Sequence, residues 1–200
     1  GTDITFLFTK GTGASFNNSL VLYFDTAAGG ISSTSGLTDV ADDLRRGISG
    51  RQNGSTQTVA TFSGMQADKA IALNGDFGGG SGFAGIWDIV TGGSHAFISS
   101  ANLTPSNNAS SPTFSFGVSR AALGISDGEL VRFVGTYISG TGFRSNETFG
   151  SITSTPGNPG FTGSLTFSGS ESFTAVPEPT TLGLIGAAAA GYVVRRRRKS

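Results

Sequence analysis

Short apolar runs recur along the chain, separated by turns rich in glycine, serine and threonine. Asp3–Thr9 alternates, with Ile4, Phe6 and Phe8 on one face, although Leu7 breaks the polarity of the other. Alternation of this kind predicts a half-buried strand. Ser19–Asp25 is apolar on both faces, Leu20, Leu22 and Phe24 against Val21 and Tyr23, which predicts a central strand. Further strands are expected over 56–63, Lys69–Asn74, 83–90 and 95–99. Thr113–Ser119 alternates cleanly with Phe114, Phe116 and Val118 inward, and a long strand is expected over 129–139. One or two edge strands are expected over 161–173. Between them, 37–46 reads as a short helix or an acidic loop, 76–82 as a glycine loop and 102–112 as a polar loop. Residues 120–124 read as a turn or short helix, 140–146 as a loop and 150–160 as a turn. Many short strands with glycine turns predict an all-β chain folded as an antiparallel β-sandwich.

The pattern changes abruptly at the C-terminus. Val176-Pro177-Glu178-Pro179 leads into an uncharged run over 180–194, and Arg195-Arg196-Arg197-Arg198-Lys199 closes it. At about 1.5 Å per residue the run makes a helix of roughly 22 Å. A full span usually takes about 20 residues, so this one is short. It spans if the arginine stems snorkel and the bilayer thins locally. A buried core helix is the alternative, but five consecutive cations favour a cytoplasmic stop. Pro177 and Pro179 bar helix from running upstream and predict an extended, accessible stretch. The expected organisation is a β-sandwich ectodomain over 1–174 and a linker over 175–179. A single transmembrane helix over 180–194 and a basic cytoplasmic tail over 195–200 follow.

This tail resembles the PEP-CTERM sorting signal of Gram-negative, exopolysaccharide-producing bacteria, on Pro177-Glu178-Pro179, the apolar run and the basic stop in that order. The resemblance implies an exported protein held in the inner membrane and then passed to the cell surface, matrix or biofilm. Its implied partner is an exosortase, a membrane cysteine transpeptidase-like enzyme that cuts near Pro177, Glu178 and Pro179. The chain would be a substrate of that enzyme. Export needs a leader, and Gly1-Thr2-Asp3 shows neither a basic nor an apolar region of one. The expectation is therefore a trimmed chain or a piece of a longer one.

Charge then separates body from tail. The chain is formally neutral, with 13 basic and 13 acidic residues. Five of the basic residues lie in the tail, so residues 1–179 carry a net charge of −5. That balance argues against nucleic-acid binding. Without cysteine, disulfide and thiolate chemistry are excluded, and with one histidine so are His/Cys zinc sites.

The remaining chemistry is sparse. Gly80-Ser81-Gly82-Phe83-Ala84-Gly85 matches a dinucleotide-loop string, but a strand-like segment follows where a helix is required. Ser94 and His95 echo a nucleophile elbow, yet neighbours on a strand point to opposite faces. Asp39, Asp42 and Asp43 form an acidic cluster that could ligate structural calcium, with solvated loop carboxylates as the alternative. No other cofactor is expected. Trp87 beside Asp88 would suit stacking on a sugar ring if exposed; a core tryptophan among Ile86, Ile89 and Val90 is the alternative.

A second resemblance covers the body. Ser19–Asp25 with Gly29-Gly30, the run Gln66-Ala67-Asp68-Lys69, and Phe114 through Gly124 are similar to DOMON-like sandwiches, which include family-nine carbohydrate-binding modules. Lys69 departs from the usual aromatic. The resemblance implies a non-catalytic envelope module whose ligand, polysaccharide among others, varies by member. The alternatives are a structural or adhesive matrix protein without a discrete ligand, and a polysaccharide hydrolase. An exposed aromatic platform favours the module, open edge strands the matrix protein, and a cleft with two facing carboxylates the hydrolase.

Overall fold

A computed structural model describes residues 3–9, 18–52, 56–74, 83–103, 113–153 and 157–176. The strands are β1 (Asp3–Thr9), β2 (Ser19–Asp25), β3 (Arg51–Gln52), β4 (Thr56–Gln57), β5 (Val59–Phe62), β6 (Lys69–Asn74) and β7 (Phe83–Asp88). They continue as β8 (Ala96–Ser100), β9 (Asn102–Leu103), β10 (Thr113–Ser119), β11 (Leu130–Ile138), β12 (Arg144–Phe149), β13 (Ser164–Phe167) and β14 (Glu171–Thr174). Two short helices, α1 (Asp43–Ser49) and α2 (Arg120–Leu123), complete the regular structure with a 3-10 turn at Thr34–Gly36.

The large sheet runs β12-β11-β2-β6-β7-β8 and is antiparallel throughout. β14 shares the outer edge of β11 with β12: it lies along Leu130–Phe133, while β12 lies along Gly135–Ile138. A second sheet, β1-β10-β9, packs on one face. Phe6 stacks on Phe116 at 5.2 Å and meets Phe24 edge-on at 5.8 Å, and Phe24 stacks on Phe133 at 5.5 Å. Leu20, Leu22, Ile71, Leu73 and Ile86 fill the rest of this layer.

The opposite face of the large sheet is buried as well. Val21, Tyr23, Ala70, Ala72 and Val134 lie under Leu44 and Ile48 of α1, Phe62 of β5 and Phe167 of β13. β2 is therefore covered on both sides, which is why its residues carry no alternation. The chain is mostly β with antiparallel sheets, as a sandwich requires, except that β13 pairs β5 in parallel. Phe62 and Phe167 then fall opposite each other in register, and their rings lie 6.0 Å apart under the sheet.

Two segments differ from their expected form. The helix expected within 37–46 begins only at Asp43, where Asp42 caps it by accepting the Arg45 N–H at 2.9 Å, and it runs on to Ser49. The loop expected over 140–146 ends at Phe143, and β12 begins at Arg144. Its sequence, Arg144-Ser145-Asn146-Glu147-Thr148, has no apolar alternation; it is a strand because its backbone completes the edge of β11. Arg144 is fully buried in the layer beneath the sheet, donating to Thr58 Oγ1 at 3.2 Å and Thr136 Oγ1 at 3.0 Å. Among the described residues no helix is long and apolar enough to cross a membrane. The segment over 180–194, expected to be one, lies outside them.

Candidate ligand groove and sorting junction

A concave site forms where β2 ends. Asp25 is the last residue of β2, and Thr26 turns the chain by donating its N–H and hydroxyl to Asp68 at 2.7 and 2.8 Å. The loop that follows passes through Gly29 and Gly30 at φ +100° and +93°, conformations that L side chains rarely adopt. Ile31 and Ala67 then exchange two backbone hydrogen bonds of 2.8 Å. A side chain on Gly30 would place its Cβ 2.6 Å from the Ala67 carbonyl oxygen, so the two loops approach as closely as they do only because Gly30 has none.

The opposite wall is the turn through Gly64 and Gln66, whose N–H donates to Asp25 Oδ2 at 3.1 Å. Between the walls lies an open groove of about 420 Å³ with Phe62 and Met65, both buried, at its base. It offers a half-buried carboxylate on Asp25, an exposed amide on Gln66 and a hydroxyl on exposed Ser32. Such a set accepts and donates hydrogen bonds to hydroxyl groups. Among the described residues Asp25 is the one carboxylate in its lining, and the neighbouring Asp68 accepts from Thr26 with both oxygens. The sequence marked Asp25, Gly29-Gly30 and Gln66 through the DOMON-like resemblance. Ser32 carries no local signal for a groove, because loop packing, not a motif, brings it to Asp25 and Gln66.

The residues singled out from sequence are placed elsewhere. Trp87 is 2 % exposed and packs edge-on to Phe97 at 5.6 Å, so it presents no face to a sugar ring. The cause is local: its indole lies over Gly85, where an added Cβ would come within 2.5 Å of the ring. Asp88, half-exposed, is bound by Lys69 Nζ at 2.6 Å. Trp87 thus offers no stacking face beside Asp88. The exposed ring beside Trp87 is Phe97 itself, and Phe143 and Phe161 form a further exposed, edge-on pair 5.2 Å apart. The pair follows the end of β11 that faces Ser19, away from the Asp25 end of the sheet.

The acidic cluster is committed to the protein. Asp39 is buried and accepts from the backbone N–H groups of Ala41 and His95 at 3.0 and 2.7 Å. Asp42 caps α1 and pairs with Arg45, and Asp43 pairs with Arg46. Asp39 and Asp42 thus share Arg45, whose Nε lies 3.6 Å from Asp39 Oδ2, while Asp43 faces a different arginine. Among the described residues no group of three or more histidine, aspartate or glutamate side chains gathers as a metal would need.

His95 is buried in the same region. Its Nδ1 accepts the Val90 N–H at 3.1 Å, so the neutral ring carries its proton on Nε2, which donates to Ser49 Oγ at 3.0 Å. A general base would have to accept from the serine, and here the direction is reversed. Burial holds the imidazole below its ordinary pKa; Asp39 opposes the shift and Arg45 adds to it. Ser94, on the turn before His95, has no part in this contact. In the glycine string, Gly80, Ser81 and Gly82 lie outside the described residues, while Phe83, Ala84 and Gly85 belong to strand β7, not to a helix.

The body closes at a second point of interest. After β14, Ala175 donates its N–H to Glu129 O at 2.9 Å and accepts the Gly128 N–H at 2.7 Å. Arg120 reaches the Val176 carbonyl at 3.5 Å and pairs with Asp127. Ala175 is buried at 6 %, and Val176 is 74 % exposed. Pro177, Glu178, Pro179 and the basic residues Arg195, Arg196, Arg197, Arg198 and Lys199 lie outside the described residues.

Residues 175–199 match the PEP-CTERM protein-sorting motif. No curated protein and no solved structure matches the chain. The motif supports a secreted protein sorted by an exosortase, with a membrane-anchored C-terminal signal before it reaches the surface. The match begins at the last buried residue of the body.

Proposed function

We propose that the chain is an exported, non-catalytic β module whose groove beside Asp25 takes a hydroxyl-rich ligand, a polysaccharide of the envelope or matrix. In transit, the run over 180–194 lies in the inner membrane with Arg195–Lys199 on the cytoplasmic side. The exosortase cuts near Pro177-Glu178-Pro179 and passes the body to the surface. The motif over residues 175–199 supports the sorting part. The observation that carries the binding part is the groove itself: an accessible carboxylate and amide over an apolar base, held by two glycines that let the loops close up. The DOMON-like resemblance of the same loop points the same way. A non-catalytic role is supported by the Ser49–His95 contact, in which the histidine donates.

The test is binding of the chain ending at Val176 to a panel of neutral and acidic polysaccharides, beside Asp25→Asn. The asparagine keeps an acceptor for the Gln66 N–H and removes the charge. Hydrogen bonds to a charged group contribute about 1.5–3 kcal/mol, so binding should weaken by about 10- to 100-fold. Equal binding by the variant would remove the groove from the account. EDTA should leave binding unchanged, because Asp39, Asp42 and Asp43 are already held by backbone and arginine donors.

One observation favours a second reading. β8 forms an end of the large sheet, with Phe97 49 % exposed, and an exposed edge is a site of self-association. A matrix protein that assembles through such edges would bind no polysaccharide in the panel.

A further inference from the structure

The junction between body and tail sets where processing can begin. A protease draws its substrate into the cleft as an extended strand, so the residues on both sides of the cut must be free of their own sheet. Glu171–Thr174 are not free: they are laddered to β11, Thr174 beside Leu130 and Glu171 beside Phe133. Ala175 continues the ladder in both directions, with its N–H on Glu129 and its carbonyl on Gly128. Its side chain is buried, whereas that of Val176 stands in solvent, with Arg120 Nη1 3.5 Å from its carbonyl oxygen.

We propose that the β14–Ala175 clasp is the N-terminal limit of exosortase processing. The window opens at the bond between Val176 and Pro177, and no bond before Val176 is cut. This rests on the exosortase processing proposed above. Cleavage at or beyond Val176 breaks one peptide C–N bond. The acyl carbon takes the oxygen of water in a release, or an amine or hydroxyl in a transfer, and the departing nitrogen takes the proton. The body then keeps every hydrogen bond of β14. Cleavage one residue earlier would have to attack the Ala175 carbonyl while Gly128 holds it. Because the clasp belongs to the body, it restricts a soluble protease in the same way, and so it can be tested without the exosortase.

The full chain, in detergent micelles, is treated with proteinase K under native conditions, and fragment C-termini are mapped by intact mass. The expected result is no cut between residues 171 and 175 and a surviving body that ends at Val176 or later. Ala175→Pro, which removes the N–H donated to Glu129, should open cuts within 171–175. Cuts there in the unmodified chain would overturn the proposal, as would an Ala175→Pro pattern identical to the parent's. In a host carrying an exosortase, the processed body should likewise end at Val176 or beyond; a body ending at Ala175 or earlier overturns the limit. A host that leaves the tail on the body would instead refute the processing reading, while the proteinase K pattern still decides where the clasp lies.

Discussion

Gly29 and Gly30 are neighbours in sequence with similar backbone, yet substituting them should have different consequences. Both sit at φ near +100°, so alanine at either position is strained by about 1–3 kcal/mol. At Gly29 nothing lies within 4 Å of the added Cβ, so strain is the whole effect. At Gly30 the Cβ would lie 2.6 Å from the Ala67 oxygen, 2.7 Å from its carbon and 2.8 Å from the Gln66 oxygen. These are backbone atoms and cannot rotate away. The loops must part, which breaks the two Ile31–Ala67 hydrogen bonds, at about 0.5–1.5 kcal/mol each. Gly30→Ala should therefore destabilise by about 1–3 kcal/mol more than Gly29→Ala. Urea unfolding of the chain ending at Val176, followed by far-UV circular dichroism, measures both at equal slope. Because Gln66 moves with Ala67, Gly30→Ala should also lose whatever the groove binds. Variants equal within about 0.5 kcal/mol would refute the close approach of the loops, and with it the shape of the groove.

Two further outcomes follow from buried groups. His95 has a lowered pKa in the folded chain, so the unfolded chain binds the proton more readily below its ordinary value of 6.5. Stability should hold above that value and fall as pH drops from 6.5 toward the depressed folded pKa. His95→Gln should flatten this segment of a urea-midpoint profile, and an unchanged slope would contradict the assignment. Arg144 is buried with hydroxyl neighbours on Thr58, Thr136 and Tyr23 and no carboxylate paired to it among the described residues. Arg144→Met removes that uncompensated cation, while Thr58 and Thr136 keep their hydroxyl protons for other acceptors. Thermal unfolding should show a change of less than about 1 kcal/mol, or a gain; a loss above about 3 kcal/mol would show that the guanidinium is needed for packing.

How much of this was legible in the sequence depended on the element. β1 and β10 announce themselves by alternation, since each keeps one face on the phenylalanine layer and one outside it. β2 and β6 are legible as unbroken apolar runs because both their faces are covered. β12 was not legible, because its polar residues pair through backbone alone and Arg144 points into a core that hydropathy would deny it. The parallel β5–β13 pair joins segments about a hundred residues apart and leaves no local trace. Trp87 shows the limit for sites: a tryptophan beside an aspartate is the same pair of letters in a core or on a platform, and the small residues Gly85 and Ala70 decided for the core. The groove is built from loop backbone and glycine φ, to which composition is blind. The sorting motif, by contrast, was legible in full, because its meaning lies in linear order and charge, with no tertiary partner required.

The most direct test of the central claim is the intact mass of the surface or secreted protein from a host with its exosortase and from the same host without it. With the enzyme, the exported form should lack the run over 180–194 and Arg195–Lys199; without it, the full tail should stay on a membrane-bound chain. An exported form that retains Arg195–Lys199 in the presence of the enzyme would contradict sorting by cleavage.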